Sequence, residues 1–216
     1  DQPLAYVLPT VRQHTDKPLL NAGNHTPETA VKLIESGNSD FVLFGRGLIC
    51  DPELPNKLMN GDRDDVRPCM RCLEECVRRT VDRTTKVSCA LNPRANEEMF
   101  FNIKKIETPK NVVVVGAGPG GMEAARVAAL EGNKVTLFEK SSVKGGNMLV
   151  ASTPDFKDPI KDLLRWYDIQ LGKLGVEIRM NTEIKADDPI LEQADLIVMA
   201  TGANELVPPI PGIHGS

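Results

Sequence analysis

Several features that would place the chain early are missing from it. No apolar run approaches the roughly 18 residues of a membrane span, so no transmembrane helix is expected. Basic residues do not dominate: 26 Lys and Arg stand against 30 Asp and Glu, a formal net charge of −4. That balance excludes the basic face a nucleic-acid partner needs. The start, DQPLAYVLPT, has neither the basic beginning nor the apolar core of a secretory signal. It opens on Asp1 rather than Met, so cleavage or truncation is expected to have made this end. No repeat or low-complexity tract is present. Histidine is scarce, at three residues, and His14, His25 and His214 sit in no motif, so they read as surface or loop residues. Five cysteines in 216 residues are too few, and odd in number, for the disulfide scaffold of a short secreted domain. The chain reads as cytoplasmic, with reduced thiols.

Three zones follow. Residues 1–60 alternate helix, strand, helix, strand, helix, an order that argues a parallel α/β sheet. KPLLNAG is a short strand ending at Gly23, and DFVLFGRG is a second strand running into glycines. Between them, Thr26 is a good N-cap, Pro27 suits the first helical position, and Gly37 is a good stop. Two half-units cannot close a sheet, so this zone reads as the end of something larger. Residues 61–109 are charged, carry cysteines and show no clear period. So long an irregular stretch needs something to hold it, and a metal centre would do so. Residues 110–216 begin NVVVVGAGPGGMEAARVAALEGNKVTLFEK, which is strand, glycine turn, helix, strand. An amphipathic helix, DPIKDLLRWYDIQLGKLG, and the strands VEIRM and DLIVMATGA complete it.

Gly116, Gly118 and Gly121 spell G-x-G-x-x-G, with Ala117 and Pro119 between them. A strand precedes the turn, an alanine-rich helix follows, and Glu139 ends the next strand. Gly116 allows the tight turn, Gly118 lets a pyrophosphate approach the backbone, and Gly121 lets helix and strand pack closely. The helix N-terminus offers free N–H groups to phosphates, and Glu139 can accept from a ribose diol. FAD is favoured over NAD(P), which stays open. That preference rests on a resemblance of two later stretches to motifs of FAD-containing disulfide-reductase-like flavoproteins: KGGN, with Gly146 and Asn147, and Ala200-Thr201-Gly202 after a strand.

Cys69, Cys72, Cys76 and Cys89 follow the spacing C-x2-C-x3-C-x12-C. Soft thiolates suit zinc or iron–sulfur clusters. Structural zinc usually takes its cysteines two and two, whereas three ligands on a compact turn with a remote fourth is a common way to hold a cubane. The spacing favours [4Fe–4S]; zinc and [2Fe–2S] remain open. Cys50 lies outside the pattern and reads as a small core residue. Arg78, Arg79, Arg83 and Lys86 form a basic run, read as offsetting the thiolates or as a solvated face. Trp166 and Tyr167 read as packing residues on the amphipathic helix. Glycines 23 and 45, each ending a strand, and Arg46 beside the second, suit a phosphate site of the kind that closes a (β/α)8 barrel.

Together these segments resemble the old yellow enzyme relatives with a C-terminal extension: 2,4-dienoyl-CoA reductase, the bacterial enoate reductases and trimethylamine dehydrogenase. The matching stretches are FGRGLICDPELPNK, then RPC at residues 67–69, CALNP at residues 89–93, and GAGPGG. The resemblance implies the C-terminal end of an FMN-binding TIM barrel over residues 1–60. It implies an iron–sulfur segment over 61–109 and an incomplete Rossmann-like FAD domain over 110–216. It places Gly23, Gly45 and Arg46 at the FMN phosphate, the four cysteines on [4Fe–4S], and Gly116, Gly118, Gly121, Glu139 and Lys140 at FAD. It implies an oxidoreductase passing electrons from NAD(P)H through FAD and cluster to FMN and reducing an activated C=C bond. An amine dehydrogenase of the same architecture, or a non-catalytic electron-transfer module, is the alternative. The partners implied are NAD(P)H and a small unsaturated molecule, with a homo-oligomer left open. The family often has glycine and asparagine around the second cysteine, where this chain has Arg71 and Leu73. The family's enone-polarising and proton-donating residues lie on earlier strands, so no catalytic residue is assigned. The chain reads as a piece of a longer protein, able to bind a cluster but not to reduce a substrate alone.

Overall fold

The computed structural model describes residues 4–82, 86–204, 206 and 208–210. The chain divides into two compact units: residues 1–102 with 156–169, and residues 103–155 with 170–216. Arg83 and His214 lie outside the described residues. No helix among the described residues is long and apolar enough to cross a membrane.

The first unit begins with α1 (Leu8–Arg12), β1 (Leu20–Ala22), α2 (Pro27–Glu35), β2 (Phe41–Leu43), α3 (Gly45–Cys50) and α4 (Leu54–Met59). β1 and β2 pair in parallel, with Leu20 opposite Phe41 and Ala22 opposite Leu43. The crossover between them is α2, as a parallel pair requires. Thr26 starts this helix by accepting from the Thr29 N–H, while the Thr29 hydroxyl accepts from the Thr26 N–H at 2.8 Å. This reciprocal cap satisfies two of the orphan donors of the first turn. Gly37 follows the helix at φ +71°, where a side chain would be strained. A two-strand pair cannot cover both of its faces, and Leu20, Phe41 and Leu43 are exposed.

One element differs from the sequence reading. The sequence showed a strand running into glycines and then one short helix; in the structure residues 45–50 already wind into α3. The bare face of Gly47 lies against the Leu54 side chain, so tertiary packing holds a helix that two glycines would disfavour on propensity. Among the described residues beyond α4, the chain through the cysteines is irregular apart from a 3-10 turn (Arg63–Asp65) and α5 (Val77–Asp82). Polar ties organise it. The buried Asp51 carboxylate accepts from Lys57 Nζ at 2.7 Å and from the Arg67 backbone N–H at 2.8 Å. The Arg67 guanidinium donates to the Leu91 carbonyl and lies 4.7 Å from the centre of the Trp166 ring. Trp166 is buried and donates to the Asp65 carbonyl at 3.1 Å. Tyr167 beside it is also buried, and Trp166 lines the large cavity of this unit.

The second unit is built on β3 (Asn111–Val115), α6 (Pro119–Leu130), β4 (Lys134–Phe138), β5 (Glu177–Arg179) and β6 (Leu196–Met199). The sheet order is β5-β4-β3-β6, every pair parallel. Two short helices complete the unit, α7 (Asn147–Ala151) and α9 (Pro189–Glu192). The helix α8 (Asp158–Lys173) runs from residues of the first unit into residues of the second. The central β3 presents Val112, Val113, Val114 and Val115, all buried. Such continuous apolar strands mark a parallel sheet covered on both faces, and each buried valine contributes about 1.5–3 kcal/mol relative to exposure. Val113, Val115 and Phe138 pack against Ile184, Ile190, Leu191 and Ala194. Met122 and Ala125 of α6 are fully buried. This is a mixed α/β chain with a Rossmann-like unit, as the valine run and glycine turn implied.

Candidate functional site

In the second unit, the turn between β3 and α6 gathers most of the expected nucleotide-site residues. Gly116 adopts φ +105°, and a Cβ there would stand 2.3 Å from the Ala200 carbonyl oxygen. A Cβ on Gly121 would stand 1.9 Å from the Gly116 carbonyl oxygen. Both positions are therefore restricted to glycine by backbone that cannot give way. Gly118 differs. Its φ of −72° suits any residue, and a Cβ there would meet nothing within 4 Å. The fold itself does not demand glycine at 118; the space beside it is free for a ligand.

The surrounding loops converge on the same turn. The Gly145 N–H donates to the Ala117 carbonyl at 2.8 Å, and the Gly146 α-carbon faces that of Gly118 closely enough that a Cβ would lie 3.3 Å from it. Asn147 opens α7 directly after. The Ala200 N–H donates to the Val115 carbonyl at 2.8 Å, which carries Thr201 and Gly202 past the turn. Glu139 follows β4. Its Oε2 accepts from the Ala117 N–H at 2.8 Å and its Oε1 from the Ser141 N–H at 2.9 Å. Partial burial acts to raise its pKa, but these N–H groups and the neighbouring Lys140 charge outweigh burial and hold it below the usual carboxylate range. The sequence showed the acid at the strand end; that it braces the glycine turn becomes visible only in three dimensions. Lys140 itself is exposed.

In the first unit, Cys69, Cys72, Cys76 and Cys89 all line one small cavity, with Met70, Leu73 and Leu91. Among the described residues, no three His, Cys, Asp or Glu groups close on a point that a single ion would fill. The chain reaches this arrangement through an unusual backbone: Arg71 has φ +61° and Leu73 φ +63°. Both lie in the left-handed region that favours glycine or asparagine. Cys50, outside the set, is buried, with its thiol 3.7 Å from the Pro68 carbonyl. The nearby Cys50 thiol is the largest influence on Cys89. Burial opposes it, but the N–H groups of Leu91 and Asn92 and the Arg67 charge add to it, lowering the Cys89 pKa to about 6. Cys50 is pushed up correspondingly, and burial raises Cys69. The basic run beside the cysteines is paired with acids: Arg78 with Glu74 and Asp82, Arg79 with Glu75, and Lys86 with Glu97.

A larger cavity of about 730 Å³ lies at the C-terminal ends of β1 and β2. Gly23, Gly45 and Arg46 line it, as the sequence pattern suggested, and Arg46 Nη2 donates to the Asn24 side-chain oxygen at 2.9 Å. His25 also lines it, bonded through Nε2 to Asn21 Oδ1 at 2.6 Å, and burial lowers its pKa. Sequence reasoning set His25 aside because a lone loop histidine carries no spacing signal. Arg67 entered only as the start of the RPC motif; its contacts with Leu91 and Trp166 had no local signal. Arg46, Cys69 and Arg71 line both this cavity and the one among the cysteines.

Residues 110–216 match the family described as pyridine nucleotide-disulphide oxidoreductase. Beyond that unit, the chain is 42% identical to cinnamate reductase of Clostridium sporogenes over 195 residues, covering 90% of this chain and 29% of that protein. It is 36% identical to NADH oxidase of Thermoanaerobacter brockii over 209 residues, covering 96% of this chain and 32% of the relative. Among solved structures, a 2-naphthoyl-CoA reductase superposes with a TM-score of 0.91 at 32% identity, over 98% of this chain and 33% of that one. The chain belongs to the old yellow enzyme-like enoate reductase family. Other members of that family differ in name: histamine dehydrogenase from Rhizobium sp. 4-9 superposes with a TM-score of 0.85 at 26% identity, over 94% of this chain and 30% of its own. The chain spans about a third of the length of the enoate reductase relatives it matches.

Proposed function

We propose that the chain is part of an NAD(P)H oxidoreductase holding FAD, FMN and a [4Fe–4S] cluster, and that the whole protein reduces an activated C=C bond of an enoate, enone or dienoyl-CoA. The observation that carries this reading is the cysteine cavity. Four cysteines lining one cavity, three from a compact stretch and one remote, suit a cubane cluster better than the two-and-two pairing usual for structural zinc. The domain assignment goes with it: residues 1–60 as the end of the FMN barrel, 61–109 as the cluster segment, and 110–216 as the FAD domain. When bound, the two flavins and the cluster supply the means to take an electron pair from NAD(P)H, pass it singly and return it as a pair.

The chain's own residues would prepare each site. The open space at Gly118 and the N-terminal N–H groups of α6 suit a pyrophosphate. Glu139, with both oxygens already accepting from backbone, keeps further lone pairs for a ribose diol. Gly146, Asn147, Lys140 and residues 200–202 would flank the same nucleotide. Gly23, Gly45 and Arg46 would hold the FMN phosphate, with Arg46 oriented by Asn24. The relatives named cinnamate reductase and 2-naphthoyl-CoA reductase support an unsaturated small molecule as substrate. Reduced cysteines support a cytoplasmic setting. Amine oxidation is the second reading, because the likeness to histamine dehydrogenase covers nearly the whole chain.

The test is iron, acid-labile sulfide and flavin analysis of anaerobically purified protein, with absorption spectra before and after dithionite. About four irons and four sulfides, with bleaching on reduction, are expected. One zinc and no sulfide would refute the reading. Cinnamate-dependent NAD(P)H oxidation, set against amine-dependent reduction of an external acceptor, separates the two activities.

A further inference from the structure

Arg71 lies between two of the four cysteines and holds a left-handed backbone, φ +61°. Side-chain-bearing residues rarely adopt this conformation, and where they do it clusters at functional sites. With Arg46 and Cys69, Arg71 lines both the cysteine cavity and the larger cavity beside it. The other nearby charges are engaged. Arg46 is bonded to Asn24, Arg67 to the Leu91 carbonyl, and Glu75 to Arg79. Among the described residues, the Arg71 guanidinium has no hydrogen-bond or ion-pair partner.

A cation at the wall of a thiolate-lined cavity acts on whatever charge develops there. Adding one electron to a thiolate-bound cluster adds one negative charge. A nearby cation stabilises that reduced form, and net charge and hydrogen bonds to sulfur are the levers that set such potentials. We propose that Arg71 is a positioning residue that raises the reduction potential of the cluster held by Cys69, Cys72, Cys76 and Cys89, so that the cluster takes up an electron more readily. This rests on reading those cysteines as [4Fe–4S] ligands.

The test is a redox titration of the holoprotein followed by electron paramagnetic resonance, with iron and sulfide measured on each sample. Arg71→Gly keeps the left-handed backbone and its N–H but removes the charge. Arg71→Lys keeps the charge. The glycine variant is expected to shift the cluster's reduced-to-oxidised ratio about tenfold toward oxidised at fixed potential, about 59 mV for a one-electron couple. The lysine variant is expected to stay near wild type, and the shift to shrink at high salt because Arg71 is exposed. Arg71→Asn also tolerates the left-handed backbone and serves as the second neutral variant if the glycine variant loses iron. A neutral variant with full iron and an unchanged cluster potential overturns the proposal. So does a lysine variant displaced as far as the glycine one, or a shift confined to the flavins. Wild-type holoprotein without iron and sulfide overturns the cluster reading itself, and this proposal with it.

Discussion

Gly118 and Gly121 offer a paired experiment, because the fold treats them oppositely. At Gly121 an added methyl would stand 1.9 Å from the Gly116 carbonyl oxygen and 3.2 Å from the Ala200 Cβ. These are backbone and short side-chain atoms, so no rotamer change relieves the clash. Overpacking of this kind costs about 1–3 kcal/mol or more. In a domain of 150–250 residues each kcal/mol lowers Tm by about 2–4 °C. At Gly118 nothing lies within 4 Å and the backbone is extended, φ −72° and ψ 178°. Alanine there restricts the unfolded chain, worth about 0.4–1 kcal/mol. Gly118 is also the helix N-cap, where alanine is poorer than glycine by a comparable amount. The net effect on apoprotein stability is near zero. Flavin binding should nonetheless weaken at least tenfold, about 1.4 kcal/mol, because the methyl fills the space meant for the pyrophosphate. Thermal unfolding of flavin-free protein and flavin titration of each variant separate the two effects. A Gly118→Ala protein that holds FAD as tightly as wild type refutes the reasoning, as does a Gly121→Ala protein of unchanged Tm.

Four shorter expectations follow from other parts of the structure. Leu73→Asn relieves a left-handed leucine whose side chain is largely exposed, and should stabilise the protein by about 1 kcal/mol in urea unfolding. Cys76→Ala should lose iron and visible absorbance, whereas Cys50→Ala should keep both, separating the buried neighbour from the cavity set. Trp166→Phe removes the bond to the Asp65 carbonyl and weakens the contact with Arg67, costing about 1–3 kcal/mol by chemical denaturation. Glu28 is the pH probe. Burial acts to raise its pKa, but its bond to Arg63 and local N–H and hydroxyl donors prevail, lowering it to about 2. Its folded pKa is depressed, so its contribution is present above the ordinary glutamate range and is lost as pH falls toward 2. The stability difference between wild type and Glu28→Gln should shrink over that window, and remain small throughout because the pair is exposed.

Much of the second unit was legible because its sequence is locally consistent. Four valines, a glycine turn and an alanine-rich helix each state the same fold, and the buried β3 and the tight contacts at Gly116 and Gly121 answer to them. The cap at Thr26 and the stop at Gly37 were readable for the same reason, although the partner that completes the cap is Thr29. What was not legible depends on contacts distant in sequence. α3 forms over two glycines because Leu54 packs against it. Glu139 braces Ala117 across 22 positions. Arg67 finds Leu91 and Trp166, neither of which any local pattern links to it. The left-handed Arg71 and Leu73 run against propensity; the one sign of them in the sequence was the resemblance, whose members often carry glycine and asparagine around the second cysteine.

The ties made by Arg67 bear on how the cysteine site comes into being. Its backbone is fixed to Asp51, its guanidinium to Leu91, and its face to Trp166. Asp51 precedes the cysteines, Leu91 follows the last of them, and none of these bonds involves sulfur. The chain entropy of bringing Cys89 back toward the other three is thus met largely by ordinary protein contacts. A zinc finger, by contrast, closes its loop only when metal arrives. Assembly of a cluster here would be insertion into a standing receptacle, and its loss would empty a site without unravelling the segment around it.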